Sequence, residues 1–148
     1  MISKQNLKEI ALSKFADAKL LFKSNRYDSS LYLIGYSIEL ALKSKICKIL
    51  KLDNGFPENK MEFDSYIKAS ENDLGNEIKN LREIRNHNLQ KLLYYSGQEF
   101  IIKAELLDEW TNISYWNPEL RYTIEIGDKS FNELIIKSVE KILALIFK

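Results

Sequence analysis

From Leu31 to Ile49 apolar side chains recur at three- and four-residue steps on two sides of one helix. Leu31, Ile34, Ile38, Leu42, Ile46 and Ile49 form one stripe, and Leu33, Tyr36, Leu40 and Cys47 form a second flank. A helix that is apolar on two sides needs neighbours on both, so this segment is expected to be central. The flanking sequence supplies such neighbours. Leu7, Ile10, Ala11, Phe15, Ala18, Leu21 and Phe22 share one face of a helix from about Lys4 to Ser24, and Ile135, Val139, Ile142, Leu143 and Ile146 share one face of another from about Ser130 to Phe147. With only 5 Gly and 2 Pro in 148 residues, the chain has few of the breakers that a many-stranded sheet uses at its turns. The expected class is therefore all-α, an antiparallel up-and-down bundle of about five helices. The 45% hydrophobic content suits one core and one domain over residues 1–148.

The remaining elements are read from their punctuation. Ser24 to Asp28 is expected to stop the first helix and cap the second, because short polar side chains can accept from the free amides of a helix start. Asp53-Asn54-Gly55 and Pro57 mark a loop over residues 51–60, with a short helix from Met61 to Ala69 after it. Helical spacing over Leu74 to Ser96 changes phase between Ile84 and Leu89, which means either a kink or two helices meeting near Asn86-His87-Asn88. Gly97 closes that region. Glu99 to about Ser114 reads as one helix carrying Phe100, Ile101, Ala104, Leu106, Leu107 and Trp110, and Tyr115 to Asp128 reads as extended or looped around Pro118.

Charge excludes some partners. Lys plus Arg number 22 against 21 Asp plus Glu, so a net charge of +1 gives no general pull toward DNA or an anionic membrane, and any polyanion site must be a local cluster. The best one in the linear sequence is Lys79, Arg82, Arg85 and Lys91, opposed within that span by Glu83. The single cysteine, Cys47, can make no internal disulfide and is expected to be a buried, inert thiol in a reducing cytoplasm. The amino-terminal stretch mixes charge into every turn, and no apolar run reaches membrane-spanning length. No zinc-ligand spacing, Gly-rich phosphate loop, catalytic Ser or Cys signature or dinucleotide fingerprint occurs, so no metal and no cofactor are expected.

The segment Tyr27 to Lys43, with Tyr27-Asp28, Gly35-Tyr36 and Ile38-Glu39-Leu40-Ala41-Leu42-Lys43, resembles the second helix of HEPN-domain proteins. Ala16-Asp17-Ala18 with Leu20-Leu21 is similar to that family's first-helix element. His87-Asn88-Leu89 through Leu93 resembles a later His-Asp-Leu element, and Trp116 through Arg121-Tyr122 its Trp…Arg-Tyr element. The resemblance implies a helical bundle, a homodimer, and association with nucleotidyltransferase, toxin-antitoxin or phage-defence systems. It also implies RNA or a nucleotide as ligand, with no DNA-specific signal. Its catalytic branch consists of metal-independent ribonucleases with an Arg-x(4–6)-His motif, which Arg82 and His87 fit in spacing, although Glu83 and Asn88 depart from the usual neighbours. In the other register His87 belongs to a non-catalytic, substrate-binding branch, and the protein is a partner module of a nucleotidyltransferase or an antitoxin-type complex.

Residue chemistry supports the same candidates. His87 is the only histidine and the one unperturbed group suited to proton transfer near neutral pH. Arg82 and Arg85 carry the planar fork that holds a phosphate. Against this, His87 can simply bond a helix junction while both arginines stay solvated. Glu39 and Lys43, four apart on an otherwise apolar helix, form either a polar cleft or a partly buried ion pair bridged to Arg121. Tyr36 and Tyr32 offer faces on which a base can stack, or core packing. Trp110 and Trp116 read as core or interface anchors. The candidate site is thus Arg82 and His87 for catalysis, with Tyr36, Glu39, Lys43, Arg85, Asn86 and Arg121 for binding.

Overall fold

The computed structural model describes residues 1–69, 84–123 and 128–148. Among them the chain is all-α. Seven α-helices run in the order α1 (Lys4–Lys23), α2 (Tyr27–Ile49), α3 (Lys60–Ala69), α4 (Leu89–Tyr95), α5 (Glu99–Glu105), α6 (Leu107–Ile113) and α7 (Lys129–Ile146), with a 3-10 helix at Pro118–Tyr122. The expected five helices become seven among the described residues because short ones replace long ones in the second half. The single extended pairing there is an antiparallel bridge between Ile2 and Phe56. Gly55 makes room for it: its φ is +104°, and a Cβ there would lie 2.5 Å from the Ile2 carbonyl oxygen. No helix among the described residues is long and apolar enough to cross a membrane.

The α1–α2 hairpin is the spine, and its two ends are stapled by small polar residues facing the partner helix. The Ser30 hydroxyl donates to the Ala18 carbonyl at 2.9 Å, and the Ser44 hydroxyl donates to the Lys4 carbonyl at 3.1 Å. Both serines are buried, so each bond satisfies a group that would otherwise cost stability. Ala11, Ala18 and Ala41 are fully buried, as small side chains are where two helices approach closely. As its two apolar sides require, α2 also packs against α4, α7 and the 3-10 helix. Leu31, Ile34, Ile38, Leu42 and Ile46 are nearly or fully buried, each worth about 1.5–3 kcal/mol of apolar transfer.

Several expectations are corrected. Ile49, the last residue of the stripe and of α2, is 54% exposed, whereas Ile46 one turn earlier is fully buried. The cap of α2 is Arg26, with no side-chain hydrogen bond. The polar residues form the turn instead: Asn25 takes a left-handed φ of 59°, and its side-chain oxygen accepts from the Tyr27 hydroxyl at 2.9 Å. The single helix over Glu99–Ser114 is two, broken at Leu106 (φ −137°), and the phase change turns Phe100 (87% exposed) and Leu107 outward while Ile102, Trp110 and Ile113 fill the core. Of the Leu74–Ser96 region, residues 74–83 lie outside the described residues. After them the chain is irregular through Asn88, whose side chain caps α4 by accepting from the Lys91 amide at 3.0 Å.

Polar links lock α7 in place. The Asn132 amide donates to the Tyr27 carbonyl at 3.3 Å, the Asn112 amide to the Ser138 hydroxyl at 3.0 Å, and Lys141 pairs with Glu109 at 2.6 Å. Cys47 is buried, which pushes its thiol pKa up to about 12.

Candidate functional site

Glu39 sits in the middle of α2 with 1% of its side chain exposed, and it has two cationic or hydrogen-bonding partners. The Lys43 ammonium, one turn on, lies 2.6 Å from Oε1, and His87 Nδ1 lies 3.0 Å from both Oε1 and Oε2. A carboxylate paired with an ammonium is an acceptor, so Nδ1 of His87 carries the proton and donates. Nε2 is then the nitrogen left for other chemistry on a ring that is 60% exposed. Lys43 is held further by the Phe56 ring, whose centroid lies 5.1 Å from its Nζ.

Local sequence explains how His87 reaches a helix 48 residues earlier. The Asn86 side-chain oxygen accepts from the Asn88 amide at 2.7 Å, and Asn88 in turn caps α4. These two turns fix the chain on both sides of His87, and α4 packs on α2 through Leu89, Leu92 and Leu93, all buried. The Asn86 amide nitrogen is buried without a partner among the described residues.

Two cavities meet at this pair. The larger, about 880 Å³, is bounded by Tyr32, Tyr36, Trp116 and Arg121 together with Glu39 and His87. The smaller, about 270 Å³, is bounded by Lys43, Phe56, Pro57, Glu58 and Arg85, and shares Tyr36, Glu39, Asn86 and His87 with the first. The Tyr32 and Tyr36 rings are nearly parallel (7°) with centroids 6.3 Å apart, and Trp116 lies 6.2 Å from Tyr32 at a tilt. Burial first, and then the neighbouring Glu39 charge, raise the Tyr36 hydroxyl pKa, so it stays a neutral donor. Arg121 does not bridge to Glu39. The Tyr32 and Tyr122 hydroxyls raise the pKa of its guanidinium and hold it more firmly charged, and the guanidinium lies 4.7 Å from the Tyr122 ring centroid. Arg85 is exposed and donates to the Glu58 carbonyl at 3.5 Å.

The structure therefore gathers Tyr36, Glu39, Lys43, Asn86, His87, Arg85 and Arg121 around two adjoining cavities. Arg82 lies outside the described residues, as do Lys79 and Glu83 of the basic cluster. Among the described residues, no three His, Cys, Asp or Glu side chains converge to hold a metal ion. Trp116 was expected only as an anchor, yet it is both 3% exposed and a cavity wall. Its signal was Gly35, the one residue of α2 small enough to let the indole lie flat against the helix.

Residues 5–54 match the family model of the HEPN domain. No curated protein and no solved structure matches the chain. The matched segment is the α1–α2 hairpin with its following turn; it contains Glu39 and Lys43 and ends before His87. The matched residues are 50 of the chain's 148, and the all-α architecture agrees with the match.

Proposed function

We propose that the protein binds RNA or a nucleotide in the paired cavities and, as an endoribonuclease, cleaves single-stranded RNA without metal. The observation that carries this is the buried Glu39 carboxylate at 3.0 Å from His87 Nδ1, which orients an otherwise exposed imidazole and leaves Nε2 free toward the ligand. A base stacks on Tyr32 and Tyr36, while Lys43 and Arg85 attract the phosphate. In the cleavage step Nε2 takes the 2′-hydroxyl proton, and O2′ bonds to phosphorus. The P–O5′ bond breaks, and the departing oxygen takes a proton from the imidazole of a second copy in a homodimer. A toxin-antitoxin or phage-defence setting in the cytoplasm is the context that this activity suits.

The test is incubation of purified protein with single-stranded RNA in excess chelator. Cleavage that yields 2′,3′-cyclic phosphate ends and disappears in His87→Ala is the expected result. Intact RNA at high enzyme concentration refutes the catalytic reading. The second reading is a non-catalytic partner module for a nucleotidyltransferase or an antitoxin-type complex. It is favoured by the exposed Tyr94 (65%) and Phe100 (87%) beside α4 and α5. A stable complex with a co-expressed nucleotidyltransferase, lost in Phe100→Ser, would establish it.

A further inference from the structure

Away from the two cavities, folding assembles a cluster that no stretch of the sequence displays. Lys4 and Lys8 lie one turn apart at the start of α1, and Lys45 and Lys48 lie on the last turns of α2. The Ser44 hydroxyl bond to the Lys4 carbonyl, 3.1 Å, sets the start of α1 directly beside the end of α2. Lys8 also reaches α7, its Nζ 5.3 Å from the Phe147 ring centroid. None of the four lysines has an ion-pair partner among the described residues, and the adjacent Glu9 is engaged by Gln5 at 2.7 Å. By contrast Lys19, Lys103, Lys137 and Lys141 are each paired with a glutamate.

Such an arrangement works against the fold. Lysines at the C-terminal end of α2 complement the helix dipole, but those in the first turns of α1 oppose it, and α1 has no acidic residue in its first turn to compensate. Their mutual proximity is also felt electrostatically. Burial first, and then the charges of Lys48, Lys8 and Lys4, lower the pKa of Lys45. Four ammonium groups, none in an ion pair among the described residues and with Glu9 the neighbouring carboxylate on α1, make a local positive field in a protein of net charge +1.

We propose that Lys4, Lys8, Lys45 and Lys48 form a second contact surface, separate from the His87 cavities, that holds the phosphate backbone of single-stranded RNA without regard to sequence. The inference rests on the reading of RNA as ligand. Charge complementarity supports it: four ammonium groups without ion-pair partners among the described residues suit a continuous phosphate backbone, and the vesicle arm of the test separates that from an anionic lipid surface. The lysines act as point charges that release counterions.

The measurement is the salt dependence of binding a labelled oligouridylate, in a His87→Ala background so that the strand stays intact. Each neutralised phosphate contributes about −0.7 to the slope of log affinity against log salt for a single strand. Converting all four lysines to Gln should therefore flatten the slope by about 2.8 and weaken binding on the order of 100-fold near physiological salt. The matching Gln variant of Lys19, Lys103, Lys137 and Lys141 should leave the slope unchanged, because those charges are already matched by carboxylates. Equal slopes in the patch variant and the parent would overturn the inference while leaving RNA binding standing. No binding by the parent would remove the RNA reading and this inference with it. Loss of sedimentation with phosphatidylserine vesicles, at an unchanged RNA slope, would assign the patch to a membrane surface and overturn it as well. Thermal unfolding supplies a ligand-free check. Relief of repulsion should raise the midpoint of the patch variant, and a marked fall would mean that the lysines serve the fold.

Discussion

Gly35→Ala is the substitution whose cost can be worked most directly from the structure. A Cβ at this position would lie 2.1 Å from Cδ1 and Cγ of Trp116 and 2.2 Å from Cδ2. Carbon atoms rest at about 3.5–4.0 Å, so the indole must retreat by roughly 1.5 Å. Trp116 is 3% exposed and cannot swing into solvent without leaving the core. Overpacking of this kind costs about 1–3 kcal/mol. The move also breaks the bond from Trp116 Nε1 to the Tyr32 carbonyl, 3.2 Å, for about 0.5–1.5 kcal/mol more. Against this, alanine is favoured over glycine inside a helix by about 0.5–1 kcal/mol. The net loss is roughly 0.5–4 kcal/mol, or a fall in melting midpoint of roughly 2–12 °C for a chain of this size. Calorimetry with tryptophan emission reads both the midpoint and the changed indole environment. The decisive comparison is the same substitution in a Trp116→Ala background, where none of the three clashing ring atoms remains and alanine at position 35 should stabilise by about 0.5–1 kcal/mol. A raised midpoint in the parent, or the same cost in both backgrounds, would refute the reasoning.

Other consequences follow from the same contacts. Glu39→Leu strands the Lys43 ammonium, itself only 12% exposed, and should cost about 3–5 kcal/mol in urea unfolding. Adding Lys43→Met should recover much of that loss, and no recovery would contradict the pairing. The Cys47 thiol, pushed up to about 12, should resist a thiolate-detecting reagent at pH 8 until the protein unfolds; rapid labelling of native protein would show that it is not buried as described. The hydrogen bond from Lys141 holds the Glu109 carboxyl below its ordinary value, so its contribution to stability is present at neutral pH and lost as pH falls below the usual glutamate range. Carboxyl NMR titration should show that low midpoint return to normal in Lys141→Gln, and an unchanged midpoint would remove Lys141 as its cause.

What the sequence disclosed tracks the length scale of each interaction. Stripes repeated over several turns, as in α1, α2 and α7, are set by helical period and burial together, and there reading and structure agree to within a residue or two. The segment from Glu99 to Ile113 shows the opposite case. Apolar residues are dense enough there to fit one helix in several phases, and the break at Leu106 depends on docking Ile102 and Trp110, which only tertiary packing decides. At the site, Glu39 and Lys43 were legible as charges on an apolar helix, and His87 as the lone imidazole. That His87 would meet Glu39 was not, since it depends on two asparagine turns and on the seating of α4. The lysine patch was hidden altogether, because its members stand some forty residues apart and become neighbours only when α1 folds back on α2.

The unbroken run of α2 from Tyr27 to Ile49 makes it a rigid ruler. At about 1.5 Å per residue, Glu39 and Lys48 are spaced by roughly 14 Å along its axis, a distance that no side-chain rearrangement alters. Nine residues are also two and a half turns, which puts the two on opposite sides of the rod, so a strand joining them must pass around it and needs more than the roughly four nucleotides that the axial span alone takes at about 3.4 Å each. Oligonucleotides below that length can occupy one end of the rod at a time, whereas longer strands can bridge it, so affinity should step upward with length rather than climb smoothly.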